Sequence, residues 1–216
     1  MTTSRTTQSK KLLLDFLKLN ATDKDVAAIL ADYANGLVSI QDGTIQSIMQ
    51  ANAVTEFTLF EPRNEKRDGI YTLSKSQLDK GIGFIVTGFS LQAYQATDTN
   101  GGVTTARAMT PGSDVEVQAM LDADKFAIIS AIPALCNGEL EIRINRKPVL
   151  NKLSLQNFNN SAANSNNVGS AGYYALDNPI FIKPEVPIEA LIRTAVATPA
   201  STLVEVMFYG AATLAT

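Results

Sequence analysis

The chain has 216 residues, 45% of them apolar and 18% charged, with a net charge of −3. That is enough for one full hydrophobic core plus a small extra element, and it excludes a globally disordered chain or a strongly basic polyanion binder. There is no histidine, no tryptophan and a single cysteine, Cys136, so Ser-His-Asp and Cys-His catalysis, histidine-based or cysteine-cluster zinc sites and an internal disulfide are excluded by composition.

At the N-terminus, Met1 to Ser9 is polar and Thr-rich and reads as a tail that only a partner orders. Basic residues followed by an apolar run invite a signal-peptide reading, but Asp15 and Lys18 interrupt the run and no small-residue cleavage site follows closely. No apolar run approaches the roughly 20 residues that span a bilayer. Lys10 to Leu19 predicts a short helix whose apolar residues, Leu12, Leu13, Leu14, Phe16, Leu17 and Leu19, cover most of its circumference. Such a helix needs cover from more than one direction.

Thr22 and Asp25 form a variant capping box, and Val26, Ile29, Leu30 and Tyr33 follow at helical spacing before Asn35-Gly36. This predicts a helix over Asp23 to Ala34. Leu37 to Gln41 and Thr44 to Ile48 flank Asp42-Gly43, a hairpin turn signal, although Ile45, Ile48 and Met49 also allow a helical second arm. Glu61 to Asp68 reads as a solvated loop of mixed charge.

From about Val54 the pattern is β. Phe57 and Leu59 alternate with Glu56 and Thr58. Phe84 to Ala96 predicts a long strand bent at Gly88, and Thr97 to Gly112 a loop with its tip at Asn100-Gly101-Gly102. Val115 to Leu121 and Phe126 to Ile132 read as strands. Gly138 to Leu150 alternates Leu140, Ile142 and Ile144 with Glu139, Glu141 and Arg143, one face buried and one wet. A long Asn/Ser-rich loop, Gln156 to Gly172, precedes the closing strands of Asn178 to Thr216, punctuated by Pro184, Pro187 and Pro199. The expected fold is mainly β, an antiparallel sandwich of about eight strands with its helices at the front and Ile142, Ile144, Ile180, Ile182, Leu203, Val206 and Phe208 largely buried. The expected division is 1–53, an N-terminal arm with helical segments, and 54–216, the sandwich.

Chemistry-bearing clusters are few. Asp98-Thr99-Asn100-Gly101 begins like a calcium loop but lacks the later acidic ligands. Asp122 and Asp124, and Glu139 and Glu141, are carboxylate pairs that read better as a loop and a solvated strand face. Ser74-Lys75-Ser76 has no S-x-x-K spacing, and Gly81-Ile82-Gly83 is a lone G-x-G. Cys136 reads as a small buried hydrophobe. No catalytic residue, cofactor site or metal site is expected. Two positive features remain. Arg143, Arg146, Lys147 and Lys152 form the densest basic patch. Arg5, Lys10, Lys11 and Lys18 against Asp15 give the first nineteen residues net +3, so the remainder of a −3 chain is −6.

The runs GELEIRINRKPVL, DNPIFIKPEVPIEALIRTA and STLVEVMFYGAA resemble the back half of viral jelly-roll structural proteins, especially those of bacteriophages, with Phe84 to Ala96 similar to an early long strand of that sandwich. The resemblance spans about Val54 to Thr216. It implies a jelly roll and a non-enzymatic virion component, a capsid, vertex or decoration subunit made in the host cytoplasm. The implied partners are other copies of itself and other virion proteins. Arg5, Lys10, Lys11, Leu13, Phe16 and Leu17 are the candidate assembly contacts, because the helix exposes too much apolar surface to stand alone. Genome contact through the basic arm is a further expectation. The alternative is a carbohydrate- or receptor-binding module on the same fold.

Overall fold

Val, Ile, Phe and Thr concentrate in strand-length runs after residue 37, and the chain folds as a mainly β structure of antiparallel sheets with a few helices. The computed structural model describes residues 5–62, 64–100, 103–106, 109–110, 112–122, 125–159 and 172–216. Met1 to Ser4, Gly101, Asp124 and residues 160–171 of the Asn/Ser-rich loop are among those outside it. The first sheet runs β1 (Val38–Gln50), β11 (Thr202–Ala215), β3 (Phe84–Gln95), with β6 (Ala127–Ile128) and β9 (Tyr173–Ile182) both pairing β3 on its far side. The second runs β2 (Glu56–Leu59), β10 (Ile188–Arg193), β7 (Glu139–Ile144), β8 (Lys147–Ser154). β4 (Thr97–Asn100) and β5 (Val103–Ala106) form a separate hairpin. β1 lies wholly within residues 1–53, yet it belongs to the same sheet as β3, β9 and β11.

The inner faces of the two sheets share one core. Ile45, Phe84, Phe89, Val204, Val206, Phe208 and Ile182 from the first meet Leu59, Leu140, Ile142, Ile188, Ala190 and Ile192 from the second. Phe89 is the centre of a ring cluster, with centroids 5.4 Å from Phe208, 6.2 Å from Tyr174 and 6.4 Å from Phe158. Ile144 and Ile180, expected inside, are half-buried at the margin of this core, and Leu203 is buried on the opposite face of β11. The bend expected at Gly88 is a bulge. Register against β11 skips Thr87, passing from Gly88↔Tyr209 to Val86↔Gly210. A Cβ at Gly210 would lie 1.7 Å from the Ile85 carbonyl oxygen, so only glycine lets the two strands close there.

Several local expectations are overturned. Asp42-Gly43 is no turn: β1 pairs β11 without a break from Val38↔Ala215 to Gln50↔Leu203, and a long partner outweighs a two-residue turn preference. Val115 to Leu121 is a helix, α3 (Asp114–Leu121). Ser113 Oγ accepts from Glu116 N and Glu116 Oε2 accepts from Gly112 N, a reciprocal cap that sets its start. Phe126 to Ile132 holds only β6 and a 3₁₀ turn before α4 (Pro133–Cys136), so helices are interleaved with the strands. Gly138 to Leu150 is a hairpin: Asn145 and Arg146 have φ of 52° and 62°, the left-handed pair of a type I′ turn. Thr97 to Gly112 contains the β4–β5 hairpin.

Two caps close the outer face of the first sheet. α3 places Ala119 and Met120 over Ile48, Ile70 and Leu203. At the other end lie α1 (Arg5–Leu19), which begins earlier than its apolar run, and α2 (Lys24–Ala34). Asp23, not Thr22, caps α2, accepting from the Asp25 and Val26 amides. The Lys183 ammonium bonds the same carboxylate and, with the Val26 amide, holds it below the usual range, which ties the start of α2 to the end of β9. Leu13 and Leu17, four residues apart on one face, join Val26, Ile29, Ile85 and Ala211 in a dry cluster. Phe16 stacks on Phe181 at 4.4 Å.

Leu13 and Leu17 are fully buried, so Leu17→Ala is expected to cost about 2–5 kcal/mol in urea unfolding, whereas Lys11→Ala, on the exposed side, stays within about 0.5 kcal/mol. Deleting Met1 to Leu19 uncovers Ile85 and Ala211 and is expected to lower the unfolding midpoint of the sandwich itself.

Candidate assembly surfaces

The helix proposed for neighbour contact is mostly engaged at home. Leu13 and Leu17 are enclosed by the chain's own sheet and α2, and Phe16 lies against Phe181. Lys10 bridges Asp42 at 3.7 Å, while Lys11 remains exposed. Arg5 opens α1, and its side chain lies outside the described residues.

The basic patch divides in two. Arg146, Lys147 and Lys152 stand exposed on the β7–β8 hairpin, where the tight turn holds the first two side by side. Arg143 points along the outer face of the second sheet and is compensated by Glu141, with Nε 2.6 Å from Oε1. Glu141 also accepts from Arg193 Nη1 at 2.9 Å, and Arg193 Nε reaches Glu56 Oε2 at 2.7 Å. A ladder Glu56–Arg193–Glu141–Arg143 therefore crosses β2, β10 and β7. Its arginines shield Glu141, which is only 9% exposed. Glu141 was expected on a wet face. The signal for its burial was the opposite charge at Arg143, two residues on along the same face, with a further acid–base pair in the flanking strands. The Arg143 hydrogen bond first and the Arg193 hydrogen bond second hold its carboxyl below the usual range, against the upward push of burial.

The first sheet contains a carboxylate of the opposite kind. Glu205, on the outer face of β11 between the two caps, is 8% exposed and accepts from Gln46 Nε2 at 2.5 Å. Burial pushes its pKa up and the Gln46 bond offsets part of that rise. Sequence reasoning missed it, because Glu205 alternates with Val204 and Val206 as a solvent-facing residue does.

Two concavities have defined walls. One of about 290 Å³ lies where α1 meets β9, lined by Gln8, Ser9, Thr87, Tyr173 and Asp177. The other, about 260 Å³, opens beside the free edge of β1, with Ile45, Leu73, Leu78, Ile82, Phe84 and Leu214 as its apolar wall. Among the described residues no three His, Cys, Asp or Glu side chains converge as a metal cluster, and no helix is long and apolar enough to cross a membrane. Asp122 pairs with Lys125. Cys136 is half-buried rather than enclosed. Comparison with protein families, curated proteins and solved structures gives no match.

The two glutamates predict opposite pH profiles. A depressed folded pKa gives stability present above the ordinary glutamate pKa of about 4.3 and lost as pH falls through the folded value. Glu141→Gln is therefore expected to lower Tm at pH 7, with the deficit shrinking toward pH 3. A raised folded pKa costs stability above that raised value, and the cost vanishes below the ordinary one. Glu205→Gln is expected to raise Tm at pH 7 and to leave it unchanged below the ordinary glutamate pKa. Parallel thermal melts across pH check both signs.

Proposed function

We propose that this chain is a virion structural protein, a capsid, vertex or decoration subunit built on an eight-stranded jelly roll. The observation that carries the reading is strand order. β1-β11-β3-β9 faces β2-β10-β7-β8, and the long strands change sheets at every connection except the β7–β8 hairpin. Two interlocked Greek keys produce such an order, and double-sheet jelly rolls serve viral shells as well as lectins. The similarity of the closing strands to phage jelly-roll proteins supports the same reading.

The surfaces suit assembly. The outer face of the second sheet is a flat ladder of paired charges, which a neighbour can meet with few groups left unpaired. The exposed hairpin with Arg146, Lys147 and Lys152 offers positive charge to an acidic neighbour or to genome phosphates, and Lys11 and Lys18 stand exposed on α1. Partners are further copies of the chain and other virion proteins, met in the host cytoplasm and retained in the particle. Self-association under symmetry supplies the function, and the role asks for no turnover.

Purified full-length chain, followed by light scattering and negative-stain electron microscopy over a concentration series at physiological salt, is expected to form many-copy species of regular curvature. A chain that stays monomeric at every concentration and instead binds glycans on an array overturns the shell reading in favour of a recognition module.

A further inference from the structure

β1 is an edge strand with half of its free side open. Gln46 and Ile48 are covered: Thr72 N donates to Gln46 O at 3.0 Å, Gln46 N donates to Thr72 Oγ1 at 2.9 Å, and Ile48 N donates to Ile70 O at 3.1 Å. Outward-facing backbone groups alternate along an antiparallel strand, so those of Val38, Ile40, Asp42 and Thr44 point the same way. Among the described residues none of these four has a backbone partner on that side. Val38 to Thr44 carries no Pro, no Lys and no bulge, devices that blunt an edge, and its single charge, Asp42, is bridged by Lys10. The other edges are shorter or defended. β2 has four residues, β8 carries Lys147, Pro148, Lys152 and register shifts, and β9 carries Asp177 and Pro179.

Two further observations lie beside this edge. Gly43, Thr44 and Ile45 line the cavity of about 260 Å³, whose wall is polar at Lys66, Thr72, Ser74, Gln77 and Asp79 as well as apolar. Leu37, immediately before β1, is 59% exposed. Its carbonyl accepts from Thr216 N at 3.1 Å, so it continues the ladder with β11, and two-residue alternation puts its side chain on the same face as Ile45.

We propose that two copies of the chain pair their β1 strands antiparallel about a two-fold axis at Gln41, and that Leu37 of each enters the cavity of the other. This deepens the self-assembly reading above by naming one of its contacts. In this register Val38 faces Thr44 of the other copy, Ile40 faces Asp42, and Leu37 faces Ile45, which lines the cavity. All four outward-facing residues gain ladder partners. Moving the axis to Asp42 sets two carboxylates opposite each other, which is unfavourable. Moving it to Ile40 leaves Thr44 against the Gly36 turn. The contact is isologous, so it closes as a dimer and joins the two first sheets into one.

Disulfide trapping tests the register in a Cys136→Ser background. Gln41 sits opposite itself at a non-hydrogen-bonded position, where Cα atoms lie about 4.5 Å apart, within reach of a disulfide. Ser39 faces Gly43, so the two copies of Ser39 stand four residues apart along the strands, about 13 Å. Under mild oxidation Gln41→Cys is expected to run as a covalent dimer on a non-reducing gel and Ser39→Cys as a monomer. Adding Leu37→Asp to Gln41→Cys is expected to slow cross-linking about tenfold or more. Equal cross-linking of the two cysteine variants, absence of the Gln41→Cys dimer, or indifference to Leu37→Asp overturns the proposal. Trapped dimers without larger particles keep this contact and sink the shell reading, and particles whose Gln41→Cys subunits do not cross-link do the reverse.

Discussion

β11 pairs β1 along one side and β3 along the other over nearly its whole length, and both of its faces are covered. Val204, Val206 and Phe208 point into the space between the sheets. Leu203 and Ala211 point out, under α3 and under α1 with α2. A strand paired on both sides and roofed on both faces leaves few backbone groups and little side-chain surface to water before its last residues. The other elements are arranged to supply that enclosure. It also explains why Gly210 faces the Ile85 carbonyl and why Glu205 is caught at low exposure between the two caps.

The enclosure separates what the subunit uses for itself from what it can offer to others. α1 puts Leu13 and Leu17 into its own fold, so most of its apolar content is structural, while Lys11, Asp15, Lys18 and Leu19 face outward. Among the described residues no helix roofs the second sheet, whose outer face carries paired charges, Glu141 lying between Arg143 and Arg193. Charges satisfied within a face make it soluble without making it sticky, and such a face meets neighbours by complementarity rather than by apolar burial. The free half of β1, the exposed Leu37 and the basic hairpin are among the surface features left open, with Leu19 and Val196.

Much of the β framework was legible because burial follows period two. Leu140, Ile142, Ile182, Val206 and Phe208 were expected inside and are inside. α2 was legible from its helical spacing. The missed elements are those where tertiary pairing or a short polar signal outranks local preference. Asp42-Gly43 reads as a turn until β11 is seen to run past it unbroken. The segment Val115 to Leu121 reads as a strand, although Ser113 and Glu116 carried the cap that makes it a helix. Asn145-Arg146 turns without glycine, which hid a hairpin inside an alternating run. Among candidate site residues, Arg146, Lys147 and Lys152 sit exposed, while the burial of Glu141 depends on Arg193 from the next strand as well as on nearby Arg143, and that of Glu205 on Gln46 of β1, partners that no local window contains together.

The central claim is that α1 is a roof of the subunit, folded with β11 rather than supplied by a neighbour. Amide hydrogen exchange on the isolated full-length chain, at a concentration where it is monomeric, tests this directly. The account predicts that the amides of Leu13 to Leu17 fall in the same slow class as those of Val204 to Phe208. Free exchange across Leu13 to Leu17 beside a protected β11 would contradict it.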